Sequence, residues 1–82
     1  MILVDVYIPS VDETYDFMLD EGIEIDKIIL EILSMIGKKV GGEKIEETNE
    51  FELYHVTNGK KLEKVRTLSE SGVKDGSRLM IV

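Results

Sequence analysis

One stretch with helical spacing, set in a chain that otherwise alternates, constrains this sequence more than any other feature. Ile25, Ile28, Ile29, Ile32, Leu33 and Ile36 recur at i, i+3, i+4, i+7, i+8 and i+11. At about 100° per residue the six stay within an arc of about 140°, and Asp26, Lys27, Glu31 and Ser34 fall outside it. Six aliphatic side chains on one side of a helix need an apolar surface to cover. The rest of the chain reads as strands, so that surface is a sheet. Asp26 suits the positive end of the helix dipole, Glu24 stands at the N-cap position, and Gly37 is placed for a left-handed cap followed by Lys38 and Lys39. Leu30 points about 140° away from Ile25, toward water.

The strands follow from alternation. Residues 1–8 put Ile2, Val4, Val6 and Ile8 on one face and Leu3, Asp5 and Tyr7 on the other. Asp5 decides which face is outside, because an unpaired buried carboxylate is costly. Pro9-Ser10 and Asp12-Glu13 are turn residues, and 14–19 returns as an antiparallel strand with Tyr15, Phe17 and Leu19 inward and Asp16 and Met18 outward. Residues 38–50 are polar with one Gly-Gly and read as a loop. Residues 51–57 read as a third strand whose parity alternation alone leaves open. The preferred reading turns Phe51 and Leu53 inward, since Glu52 should face water. Asn58-Gly59 is a tight-turn signal before a short strand at 60–62. Leu68 rides on a half turn at 67–71, Gly72 to Gly76 is a bend, and 77–82 is the last strand, with Leu79 and Ile81 inward and Arg78, Met80 and Val82 outward. The order β-β-α-β-β-β, with one helix on one face of a mixed sheet, is an α+β fold in which the first and last strands are parallel neighbours at the centre.

Composition bounds the alternatives. The 82 residues fit one domain, 1–82, and contain no Cys, so no disulfide, thiolate metal site or Cys nucleophile exists. A single apolar core must therefore hold the fold. Ten Ile, eight Val, eight Leu, four Met, three Tyr and two Phe supply it. The formal net charge is −7, which opposes binding to nucleic acid or anionic lipid. Its distribution is uneven: Asp5, Asp12, Glu13, Asp16, Asp20, Glu21, Glu24 and Asp26 lie in the first 26 residues, which hold no basic residue. No basic n-region precedes the short first apolar run, and no run approaches the roughly 20 residues needed to span a bilayer, so a cytoplasmic protein without membrane insertion is expected.

The C-terminal third carries a resemblance. Asn58-Gly59-Lys60-Lys61-Leu62-Glu63, then Arg66-Thr67-Leu68-Ser69-Glu70, then Gly72-Val73-Lys74-Asp75-Gly76-Ser77-Arg78-Leu79, is similar to the second half of ubiquitin, with its G-K-x-L-E and R-T-L-S-D segments. The element order resembles the ubiquitin-like β-grasp fold over nearly the whole chain. The hairpin Val6-Tyr7-Ile8-Pro9-Ser10…Tyr15-Asp16-Phe17 and the Ile-rich helix resemble the small YukD-like proteins that accompany type VII secretion in Gram-positive bacteria. Three departures from ubiquitin matter. The sequence ends at Met80-Ile81-Val82 without a C-terminal Gly-Gly arm, Gly41-Gly42 being internal. Ser71 stands where ubiquitin has a buried tyrosine. The last-strand positions of ubiquitin's partner patch are Met80 and Val82 here, in different charge surroundings.

No catalytic constellation is visible. His55 is the only His, Ser69 and Ser71 have no partner base, and Asp12-Glu13 and Glu46-Glu47 lack the spaced ligands of a calcium loop. One helix over one sheet also leaves little room for a pocket of about 300 Å³. The expectation is no enzyme, no cofactor and no metal. What remains is the outer sheet face, where Leu3, Tyr7, Tyr54, Met80 and Val82 are the candidate partner-binding residues. The reading is a non-conjugated protein-interaction module whose partners, by resemblance, are secretion-apparatus components. The alternatives are a ubiquitin-like carrier or modifier, disfavoured by the missing Gly-Gly, and a homo-oligomeric β-grasp protein, such as a homodimer through the same face.

Overall fold

A computed structural model describes residues 1–40 and 51–82, with the side chains of 38–40 left out. Chain order is β1 (Ile2–Ile8), β2 (Glu13–Leu19), α1 (Ile25–Val40), β3 (Leu53–His55), β4 (Lys60–Lys61) and β5 (Arg78–Ile81). The five strands form one sheet in the order β2-β1-β5-β3-β4. β1 runs antiparallel to β2 and parallel to β5 at the centre, where both strands carry buried apolar inner residues. β3 is antiparallel to both β5 and β4.

The helix buries its predicted stripe completely. Ile25, Ile28, Ile29 and Ile32 are fully buried, and Leu33 and Ile36 nearly so. They join Val4, Val6, Ile8, Phe17, Leu19, Leu53, Leu79 and Ile81 from the inner sheet face, with Leu62, Leu68 and Val73 closing the core from the connections. Among the described residues no polar side chain is buried, so burial of apolar area carries the stability. The open parity resolves as preferred: Leu53 is fully buried and Phe51 packs against the core, while Glu52 and Tyr54 take the outer face.

Several boundaries differ from expectation, the helix end and the third strand most. The helix does not stop at Gly37 but continues to Val40. Among the described residues the left-handed glycines are instead Gly59, Gly72 and Gly76, all in turns. A glycine inside a helix costs about 1 kcal/mol relative to alanine, which the packed stripe before it absorbs. Residues 38–40 are therefore helical rather than part of the expected loop, and 41–50, including Gly41-Gly42 and Glu46-Glu47, lie outside the described residues. The third strand is shorter than 51–57. Its backbone pairing still extends beyond β3, because Glu52 N–H donates to the Val82 carbonyl (2.7 Å) and Val82 N–H donates back to Glu52 (3.0 Å). At the other end Val56 N–H reaches the Arg78 carbonyl (3.0 Å) before the Asn58-Gly59 turn.

The helix start is tied chiefly by backbone, with one side-chain bond from the Lys27 N–H to Asp26 Oδ1 (2.8 Å). Glu24 accepts the first helical bonds through its carbonyl, from Lys27 and Ile28 N–H. The unpaired N–H groups of Ile25 and Asp26 donate to the carbonyls of Arg66 (2.8 Å) and Lys64 (3.1 Å). That explains why Glu24, a poor N-cap, suffices. The segment supplying those carbonyls is itself held by a reciprocal pair: Thr67 N–H donates to Glu70 Oε1 (3.0 Å) and Glu70 N–H donates to Thr67 Oγ1 (3.1 Å). Ser71, in the tyrosine position of ubiquitin, donates its hydroxyl to the Thr67 carbonyl (2.9 Å). Thr67→Ala should therefore cost about 1 kcal/mol in urea unfolding, and Thr67→Ser should recover most of it.

Candidate interaction surface

With the helix on one side, the other side of the sheet presents side chains in transverse rows fixed by register. The central row runs Thr14, Tyr7, Met80, Tyr54, Lys61 across all five strands. Tyr7, Met80 and Tyr54 are half-buried. The next row is Asp16, Asp5, Arg78, and beyond it Leu3 faces Met18. Leu3 is 43% exposed and Met18 53%. Val82 is 44% exposed beside Glu52 at the opposite end. Four of the five candidate residues thus lie on β1, β5 and β3, with Val82 just past β5. Register joins Tyr7, Met80 and Tyr54 directly, whereas Leu3 and Val82 stand apart at opposite ends. Met18, an outward position of β2, joins this surface through its direct pairing with Leu3.

Two polar ties on this face were not expected. Tyr7 donates its hydroxyl to Asp12 Oδ1 (2.8 Å), anchoring the hairpin turn in which Asp12 adopts a left-handed φ of 51°. That hydrogen bond, with desolvation and the carboxylate charge, holds the phenol above its usual range. Asp5 and Asp16 are direct cross-strand partners, an unfavourable pairing of like charges. Asp5 pushes the Asp16 carboxyl above the ordinary carboxylate range, first as its hydrogen-bond partner and then as a like charge. Arg78 Nη2 lies 3.9 Å from Asp5 Oδ2 and compensates in part.

A raised carboxylate pKa in the folded state means that folding takes up protons on acidification. The pair then costs stability at neutral pH, and the cost fades as pH falls through the carboxylate range. Asp16→Asn should raise Tm at pH 7, with the gain disappearing in acid. An equal gain at both pH values, or a loss at pH 7, contradicts this account.

Elsewhere the features for chemistry are sparse. No group of three or more His, Asp or Glu among the described residues is arranged to hold a metal ion. An open cleft of about 240 Å³ lies between the β4 hairpin and the following connection, lined by Asn58, Lys60, Lys61, Leu62, Glu63, Arg66 and Ser71. Arg66 is paired with Glu63 there, and the Ser71 hydroxyl is committed to Thr67. No helix among the described residues is long and apolar enough to cross a membrane.

The sheet order and the single covering helix define a ubiquitin-like domain, and the comparisons agree. A computationally designed protein based on human erythrocytic ubiquitin superposes with a TM-score of 0.71 at 22% identity, over 100% of this chain and 90% of that one. The EccD5 ubiquitin-like domain from Mycobacterium xenopi gives 0.70 at 23% identity, over 99% of this chain and 91% of that one. A chain of the MycP5-free ESX-5 inner membrane complex also gives 0.70 at 23% identity, with 99% of this chain matching 20% of a much longer one. No curated protein matches. Residues 3–81 match the family described as the WXG100 protein secretion system (Wss), protein YukD, and the chain belongs to that family. It is thereby tied to type VII secretion systems.

Proposed function

We propose that this chain is a non-catalytic, cytoplasmic interaction module that serves a type VII secretion system as an accessory or regulatory component. It docks on a protein component of the apparatus through the outer sheet face, by Leu3, Tyr7, Tyr54, Met80 and Val82. The observation that carries this reading is the division of the sheet: one face is filled by the helix stripe, while the other holds the Tyr7–Met80–Tyr54 row with no element of the described chain over it. Aromatic and methionine side chains on a rigid sheet suit protein recognition, since they offer large contact area at low entropic cost and adaptable packing. Family membership supplies the pathway. The ESX-5 complex supplies a precedent for a similar fold within such an assembly.

Deletion of the gene in its host, followed by measurement of exported WXG100 proteins, tests the role. Reduced export, restored by the wild-type chain, is expected. Unchanged export, with no co-purification of the chain and the secretion membrane complex, contradicts it.

A further inference from the structure

The outer face has an order of chemistry that specifies its partner more closely. Along β1 and β2, the apolar pair Leu3–Met18 is followed by the acidic pair Asp5–Asp16, and then by Tyr7 with Met80 beside it. Strand geometry sets successive rows roughly 7 Å apart. Two carboxylates meet one guanidinium, Arg78, at 3.9 Å from Asp5, and β2 is the edge of the sheet, so Asp16 has no strand beyond it. The first 26 residues, which include both strands, hold no Lys or Arg. The fold thus holds an incompletely compensated negative row between two apolar rows.

We propose that this face receives a basic polypeptide segment in which a Lys or Arg is flanked on both sides by apolar side chains. The cation sits over Asp5 and Asp16, one apolar side chain packs on Leu3 and Met18, and the other on Tyr7 and Met80. In an extended segment, residues two apart match the row spacing. The cation relieves the like-charge pairing that the fold leaves standing, and the apolar flanks desolvate the contact, making it stronger than an exposed ion pair. This inference rests on the docking face proposed above and adds the chemistry of its occupant.

The test is NMR titration of the isotopically labelled chain with three short capped peptides. All have leucine, serine, a central residue, serine and leucine in that order; the central residue is arginine, glutamine or glutamate. The arginine peptide should bind about fivefold or more tighter than the glutamine peptide, with the glutamate peptide weakest. Amide shifts should centre on Leu3, Asp5, Asp16 and Met80, and the preference should fall with added salt. In the Asp5→Asn, Asp16→Asn double variant the arginine and glutamine peptides should bind equally. Equal binding to the wild-type chain, with shifts on this face, overturns the inference and leaves the docking face standing. Shifts elsewhere, or none with any peptide, overturn the inference, while the docking face is judged separately by the export and co-purification measurements. Shifts at these residues that depend on protein concentration without peptide assign the face to a second copy of the chain and also overturn it.

Discussion

Ile32→Ala should lower the unfolding free energy by about 2–5 kcal/mol, the largest loss expected from one aliphatic truncation here. Ile32 is fully buried and lies near the middle of the helix stripe, flanked along the helix by the fully buried Ile28 and Ile29 and the nearly buried Leu33 and Ile36. These neighbours are fixed by the same helix and cannot collapse far into the space left behind. A domain of this length has a total stability of about 4–12 kcal/mol, so the variant loses much of its margin. Ile32→Val, which removes one methyl group, should cost about 0.5–1.5 kcal/mol. Leu30→Ala, on the opposite side of the helix at 39% exposure, should stay within about 0.5 kcal/mol of wild type. Urea unfolding followed by circular dichroism gives all three values. Equal costs at positions 30 and 32 contradict the one-sided packing of the helix.

Tyr7→Ala combined with Met80→Ala should weaken association with the secretion partner about 30-fold or more, as expected when two neighbouring anchor side chains are removed from the centre of an interface. The two are register partners across β1 and β5, at the middle of the outer face. Their effects are therefore coupled, and the single variants will not sum to the double. Tyr7 also anchors the hairpin turn through Asp12, so loss of binding has to be separated from loss of fold. Tyr7→Phe makes that separation: it keeps the ring and removes the hydrogen bond, and should bind as wild type does. Co-purification with the membrane complex, together with urea unfolding of each variant, measures both properties. A folded double variant that associates normally contradicts docking through this row.

What could be read from the residues, and what could not, has a physical pattern. The helix face and the inward parity of β1 and β5 were legible because each rests on repeated spacing, which tertiary contacts seldom overturn, and the central parallel pair because the element order and the apolar content of both strands point to it. The end of the helix was not. A left-handed cap and a tolerated interior glycine have the same one-letter signature at Gly37, and only the backbone distinguishes them. The short β3 was misjudged because strand pairing there depends on where Glu52 meets Val82 and where Val56 meets Arg78, which are contacts remote in sequence. The same holds for the candidate surface. Alternation places Leu3, Tyr7, Met80 and Val82 outward, but register alone reveals that Tyr7, Met80 and Tyr54 form one row and that Asp5 opposes Asp16. The tie between Tyr7 and Asp12 could not be anticipated, since it needs a turn that brings a left-handed Asp back over the strand.

On the proposal made above, the sheet face opposite the helix is the one that meets a partner. The absence of native cysteine permits a direct measurement. Single cysteines placed by Leu3→Cys, Met18→Cys and Val82→Cys report the outer sheet face, and Leu30→Cys and Ser34→Cys report the outer side of the helix. Maleimide labelling rates are compared for each variant, free and bound to the secretion membrane complex. Docking through the sheet should strongly protect the three sheet positions and leave labelling of the two helix positions unchanged; protection of the helix positions with the sheet positions still labelled freely would contradict it.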